Sequence, residues 1–271
     1  MYTLKVAFIK LHGILASQFG LNPLLFIRSL RGLPRFVQDW RQFRAGHGGK
    51  LVFKPCLHDR YAEAGVTKSE YFWQDLLVAR WIHEANPERH VDVGSRTDGF
   101  VAHVASFREI EVFDVRPITT KVPGVHFRQA DVMDATALSD LQDERGGYCD
   151  SLSCLHVLEH FGLGRYGDPI DPLGYRTGFA NLASLLRAGG CFYLSTPIGK
   201  ERVEFNANWV FDPRSILDIA SAQGLCLERL LVFNSATGLR EIDEAEHKAM
   251  LVTLAGQAYN LGIFVFTKPA A

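Results

Sequence analysis

The segment VDVGSRTDGF, residues 91–100, offers the first chemistry: Asp92 and Gly94 end a run of strand-forming residues, and a loop reaches Gly99 before helical residues begin. A glycine at such a turn lets the backbone approach a ligand closely, and the following helix start offers unpaired N–H groups. Twenty residues beyond Gly94, Asp114 closes the next strand-like run, EVFD, where a carboxylate can accept both hydroxyls of a ribose. Asp131, in RQADVMD, ends the run after that, within reach of the exocyclic amine of an adenine. A glycine and two aspartates at three successive strand ends describe an adenosine site, which serves nicotinamide dinucleotides and S-adenosylmethionine equally.

A second cluster, His156-Val-Leu-Glu159-His160, also matches the H-x-x-E-H spacing of a zinc peptidase, because i, i+4 histidines share one face of a helix. Its position directly beyond a core strand, with no third ligand in view, argues against a metal. Glu159 is read as a brace for the turn. His160 and His156 have the pKa range of a general base, with Asp168 and Asp171 as substitutes in the loop GLGRYGDPIDPLG, residues 162–174. That loop, with Arg165 and Tyr166, has the character of a lid that shapes a substrate, or of a solvated connector. Asn206, Asn208 and Trp209 in EFNANWVF suit a sugar or other polar ring, and Trp209 suits the core edge equally.

The elements that must carry these residues alternate strand and helix. Strands are expected at 90–94, 110–114, 125–129, 148–154 and 190–195, with helices near 100–107, 135–140, 175–186 and 213–223. Two further strands, 225–233 and 261–268, flank a polar helical insertion at 238–250, which implies an antiparallel closing pair. Ahead of the first strand, Thr67-Lys68-Ser69-Glu70 has the form of a capping box opening a helix to Ala85, with Trp73 and Trp81 in the core. The expected architecture is an α/β doubly wound, Rossmann-like, mostly parallel sheet with a C-terminal antiparallel hairpin.

The 271 residues divide, by composition, at Ala45–Lys50: an N-terminal helical extension, 1–48, precedes an α/β domain, 49–271, which opens on a short strand at 51–53. Residues 21–44 hold five arginines among apolar residues and are expected to pack half-buried on the domain, with membrane-surface or partner contact as the other reading. A net charge of −1 excludes nucleic-acid binding by bulk charge. Five scattered cysteines without a C-x-x-C pair suggest reduced thiols in the cytoplasm. Neither a signal peptide nor a spanning helix is expected.

The strand-then-turn YCDSLSCLHVLEHF, the helix end LLRAGG and the strand CFYLSTP resemble the class I S-adenosylmethionine-dependent methyltransferases, whose fourth strand commonly enters a V-L-E-H turn. More closely, YFWQDLLVARWI, RHVDVGSRTDGFVAHV and FDVRP resemble a bacterial and nematode family of unknown function grouped with these enzymes, over roughly residues 50–235. The resemblance implies the cofactor S-adenosylmethionine, held by Asp92, Gly94, Arg96, Gly99, Asp114 and Asp131, with His160, His156 or Asp168 as the base for O-methylation of a polar small molecule or glycan precursor. Arg96 stands where those enzymes have a second glycine, and either reaches the methionine carboxylate or pairs with a neighbouring acid. A nicotinamide-dependent oxidoreductase and a catalytically silent binding protein are the alternatives.

Overall fold

A computed structural model describes residues 2–141 and 146–270, which divide into two compact units, 1–66 and 67–271. The first holds helices α1 (Tyr2–Phe19) and α2 (Pro23–Gly46). Asn22 caps α2 by accepting from the Leu25 N–H at 2.9 Å, and Pro23 follows at a position whose missing donor costs nothing. Residues 49–66, expected in the α/β domain, group with these helices instead. The backbone of Leu57 lies so close to Gly32 of α2 that a Cβ there would sit 1.8 Å from its carbonyl oxygen. The rings of Phe36 and Phe53 meet edge to face at 5.1 Å. The 51–53 segment, expected to be a short strand, forms none.

The second unit opens on α3 (Glu70–Ala85), which ends where Asn86 takes a left-handed conformation ahead of Pro87. Its expected capping box is absent: Ser69 makes no side-chain cap bond, and the Glu70 carboxylate is held elsewhere. Then come β1 (His90–Val93), an irregular turn at Thr97–Val101, α4 (Ala102–Ala105), β2 (Ile110–Asp114), β3 (Val125–Gln129) and β4 (Cys149–Leu155). They are followed by α5 (Gly174–Leu185), β5 (Leu186–Ile198), a small hairpin of β6 (Arg202–Glu204) and β7 (Asn208–Val210), and α6 (Pro213–Ala222). The chain closes with β8 (Cys226–Asn234), β9 (Gly238–Glu241), α7 (His247–Ala255) and β10 (Asn260–Thr267).

The eight-stranded sheet has the order β3-β2-β1-β4-β5-β10-β8-β9, parallel from β3 to β5 and antiparallel beyond. The expected antiparallel pair is β8 with β10, and β10 lies inside the sheet, between β5 and β8. Its near-continuous apolar run suits a strand covered on both faces. Part of the 238–250 insertion, expected to be helical throughout, is instead the edge strand β9, because Gly238 turns the chain back onto β8 with a positive φ. One apolar cluster joins α5, α6 and α7 to the sheet through Phe179, Ile216 and Leu251, and the other joins α3 and α4 through Ile82, Phe100 and Val104. Helices thus cover both faces, and the order reverses at β1, whose neighbours are β2 and β4.

Candidate functional site

At that reversal the carboxyl ends of β1 to β4 open into a cavity of about 590 Å³, within the range of small-molecule sites. Gly94, Arg96, Gly99, Asp114, Asp131, His156, His160 and Asp168 all line it. Gly94 turns the chain with φ +73°, and a Cβ there would press to 2.6 Å from Val157 Cγ1. That turn is what brings the end of β1 against the turn after β4.

Asp92 does not line the cavity. It is fully buried beneath the loop, where its carboxylate accepts from the Ser95 N–H, the Ser95 hydroxyl at 2.8 Å and the Ser153 hydroxyl at 2.6 Å. Burial pushes its pKa up to about 7 against the pull of those hydrogen bonds, so it fastens the loop to β4. Arg96 pairs with its neighbour: two of its nitrogens reach both oxygens of Asp98, at 2.9 and 2.6 Å, on the exposed rim. The second of the two readings of Arg96 is therefore the one formed.

Asp114 is also engaged. Arg116 binds it through two guanidinium nitrogens, at 3.0 and 2.6 Å, and donates to the Gly94 carbonyl at 3.1 Å. The same guanidinium lies 4.8 Å above the ring of Tyr166, from the 162–174 loop. Asp131 keeps more capacity: one oxygen accepts from the Met133 N–H at 2.9 Å, and the other has no partner among the described residues. Phe113, Val132 and Met133 supply apolar walls beside it.

The segment after β4 forms a single 3₁₀ turn, Leu158–His160, preceded by His156 at φ +58°, so the i, i+4 helical face expected for its two histidines does not form. Their environments differ sharply. His156 is buried, with Nδ1 2.5 Å from Glu159 Oε1, Nε2 3.3 Å from Glu70 Oε1, and its ring stacked on Tyr71 at 4.7 Å. Burial alone would lower its pKa, but the two carboxylates raise it to about 10, while His156 in turn holds the buried Glu159 below its ordinary value. A histidine kept as an imidazolium cannot accept a proton, which removes His156 from the candidate bases.

His160 has the opposite balance. Burial, helped by Arg165, outweighs Glu159 and lowers its pKa. Its Nδ1 lies 2.8 Å from the Ala207 carbonyl, which can only accept, and 3.3 Å from Arg165 Nη1, which can only donate; the shorter contact favours the proton on Nδ1 and the lone pair on Nε2. Arg165 donates to the same carbonyl at 2.9 Å. Asp168 braces its own loop by accepting from the N–H groups of Gly164 and Tyr166, and Asp171 does the same for Leu173 before α5. Both oxygens of Asp168 are thus engaged, and Asp171 is not among the residues that line the cavity. Trp209 stacks on Phe211 at 5.8 Å and plugs the core edge, Asn208 lines the cavity, and Asn206 is exposed.

Several lining residues have no counterpart among the expected ones. Glu70, Tyr71, Gln74 and Asp75 project from the first turns of α3, and Tyr259 from the approach to β10. The Tyr259 hydroxyl donates to the Glu70 carboxylate at 3.0 Å. The Ser195 hydroxyl donates to Gln74 Oε1 at 2.6 Å, and Ser195 in turn receives the His156 N–H. Burial, added to by Glu159 and Glu70, raises the Tyr71 phenol to about 12. The polar residues that interrupt the apolar face of α3, Gln74 and Asp75, are the signal that could have found this wall.

The fold is that of the class I S-adenosylmethionine-dependent methyltransferases. A protein from Galdieria sulphuraria proposed as a sarcosine dimethylglycine methyltransferase superposes with a TM-score of 0.50 at 10% identity, over 76% of this chain and 88% of that one. The 1,6-didemethyltoxoflavin-N1-methyltransferase of Burkholderia thailandensis, solved with 1,6-didemethyltoxoflavin and S-adenosylhomocysteine, gives 0.48 at 14% identity over 92% and 91%. The [4+2]-cyclase SpnF gives 0.49 at 13% over 73% and 82%. Residues 119–218 match the family described as "Caenorhabditis protein of unknown function, DUF268". The motifs at 71–117 that carry the closer resemblance lie ahead of that match. No curated protein matches the chain.

Proposed function

We propose that this protein is an S-adenosylmethionine-dependent methyltransferase that acts on an oxygen of a polar small molecule or glycan precursor. The observation that carries the reading is the cavity at the reversal of strand order, where the Gly94 turn, Asp114 and Asp131 stand at three successive strand ends. The residues fit the cofactor: the free oxygen of Asp131 suits an adenine amine between apolar walls, and Asp114 suits a ribose once Arg116 swings away. When bound, S-adenosylmethionine supplies a methyl group already activated by its sulfonium.

What remains for the protein is to align the acceptor, keep water out and take a proton. Nε2 of His160 is the group suited to the proton, being unprotonated near neutral pH and fixed by its Nδ1–H bond to Ala207. Arg165, Tyr166 and Asn208 give the acceptor end a polar lining that supports a polar acceptor. The imidazolium of His156, held by Glu159, stiffens the turn that carries His160.

Calorimetric titration with S-adenosylhomocysteine, with NADH in parallel, tests this. Micromolar binding of the former alone is expected. Binding of NADH alone would turn the reading to hydride transfer, and binding of neither would mark a fold that serves as a binding protein.

A further inference from the structure

Among the described residues three arginines line the cavity, and two of them are matched by acids: Arg96 by Asp98 and Arg116 by Asp114. The third, Arg165 of the 162–174 loop, has no carboxylate within ion-pair distance among those residues. The acid nearest to it in sequence, Asp168, spends both oxygens on the N–H groups of Gly164 and Tyr166. One end of the Arg165 guanidinium is fixed: Nη1 donates to the Ala207 carbonyl and lies 3.3 Å from His160 Nδ1. Nε and Nη2 have no hydrogen-bond partner among the described residues, and they form the edge of a guanidinium that grips two oxygens of one carboxylate or phosphate. Arg165 and Arg116 also share a ring, with their guanidinium carbons 5.2 and 4.8 Å from the centre of Tyr166. Two like charges held at one ring repel, and an anion bound beside them offsets that repulsion.

We propose that the methyl acceptor carries an anionic group, a phosphate or a carboxylate, close to the oxygen that is methylated, and that Arg165 binds that group; this rests on the methyltransferase reading above. The closeness follows from a shared carbonyl. Arg165 and His160 meet at Ala207, so an acceptor hydroxyl set against Nε2 of His160 stands one imidazole's breadth from the guanidinium. Cofactor binding prepares the same place. A ribose seated on Asp114 takes that carboxylate from Arg116, whose charge is then unmatched beside Tyr166 and adds to that of Arg165. Cofactor and anion should therefore strengthen each other's binding, by the same factor.

The test uses inorganic phosphate as the probe, with acetate as the carboxylate arm and chloride as the ionic-strength control, read on the full chain by NMR of the His160 ring. With S-adenosylhomocysteine bound, saturable shifts with phosphate or acetate and none with chloride are expected, and the tighter of the two anions names the group. Arg165→Gln should weaken that binding by about tenfold or more, the scale of a lost hydrogen bond to a charged group, with melting temperature kept. Omitting S-adenosylhomocysteine should weaken anion binding to the wild type, and Arg116→Gln should remove that difference; equal affinity with and without cofactor would overturn the part given to Arg116. No saturable shift, a response to chloride equal to that of the other anions, or unaltered binding in Arg165→Gln would overturn the proposal. Titration of the same chain with S-adenosylhomocysteine separates the two claims: cofactor bound and no anion bound overturns this inference alone, whereas no cofactor bound overturns the reading beneath it as well.

Discussion

Nδ1 of His156 stands 2.5 Å from Oε1 of Glu159, and both side chains are buried at the end of β4. The pair makes stability depend on pH. His156 rises from 6.5 to about 10 on folding, so its contribution is complete below about 6.5 and is lost as pH climbs through 10. Glu159 is lowered from 4.5, so its contribution holds above that value and is lost as acid protonates it. Thermal melts should show a decline between about pH 6.5 and 10, flattened in His156→Gln. Glu159→Gln, which leaves the imidazolium without its buried partner, should cost about 3–5 kcal/mol at neutral pH.

Asp114 and Arg116 predict opposite signs for cofactor affinity. Asp114→Ala should weaken S-adenosylhomocysteine binding by about 1–3 kcal/mol, the worth of a hydrogen bond to a charged group. Arg116→Ala frees that carboxylate from a partly exposed ion pair worth roughly 0–1 kcal/mol, and should strengthen binding by up to that amount. Calorimetry on the two variants checks both, and unchanged affinity in Asp114→Ala would remove that residue from the site.

For His160, kinetics separate a base from a brace. His160→Gln should lower kcat by about 10²–10⁴-fold with cofactor affinity retained. Because burial lowers the pKa of this histidine, the wild-type rate should rise with a midpoint below 6.5 and then level off, and the variant should lose that rise. A large loss of affinity instead would make His160 part of the pocket wall.

Gly94→Ala should destabilise the fold, because the new methyl is held in a left-handed conformation costing roughly 1–2 kcal/mol and also meets Val157. Val157→Ala in the same chain should recover the steric share alone. Melting temperatures of the two single variants and the double variant supply the comparison.

The strands from β1 to β4 were legible in the sequence because each is a short β-rich run closed by a turn residue, and the glycine and the two cavity-lining aspartates sit where those runs stop. The fate of their side chains was not. Arg116 takes Asp114 from two residues away, and Asp98 takes Arg96 at the same spacing, contacts that a spacing argument allows without requiring. The wall from α3 was hidden for another reason: Glu70 looks like a capping acid beside Thr67, but its partner is Tyr259, 189 residues along the chain. Only the sheet, with β10 drawn between β5 and β8, brings those two together.

That position of β10 also governs how the molecule can be assembled. The hairpin of β8 and β9 reaches the rest of the sheet only through residues 260–267, which come after both in the chain. Until that segment is made, the two strands have no edge to join, and β5 presents an unpaired apolar border. A polypeptide interrupted before residue 260 would therefore hold two sticky half-sheets and invite aggregation. Synthesis through β10 is what joins the two halves into one sheet.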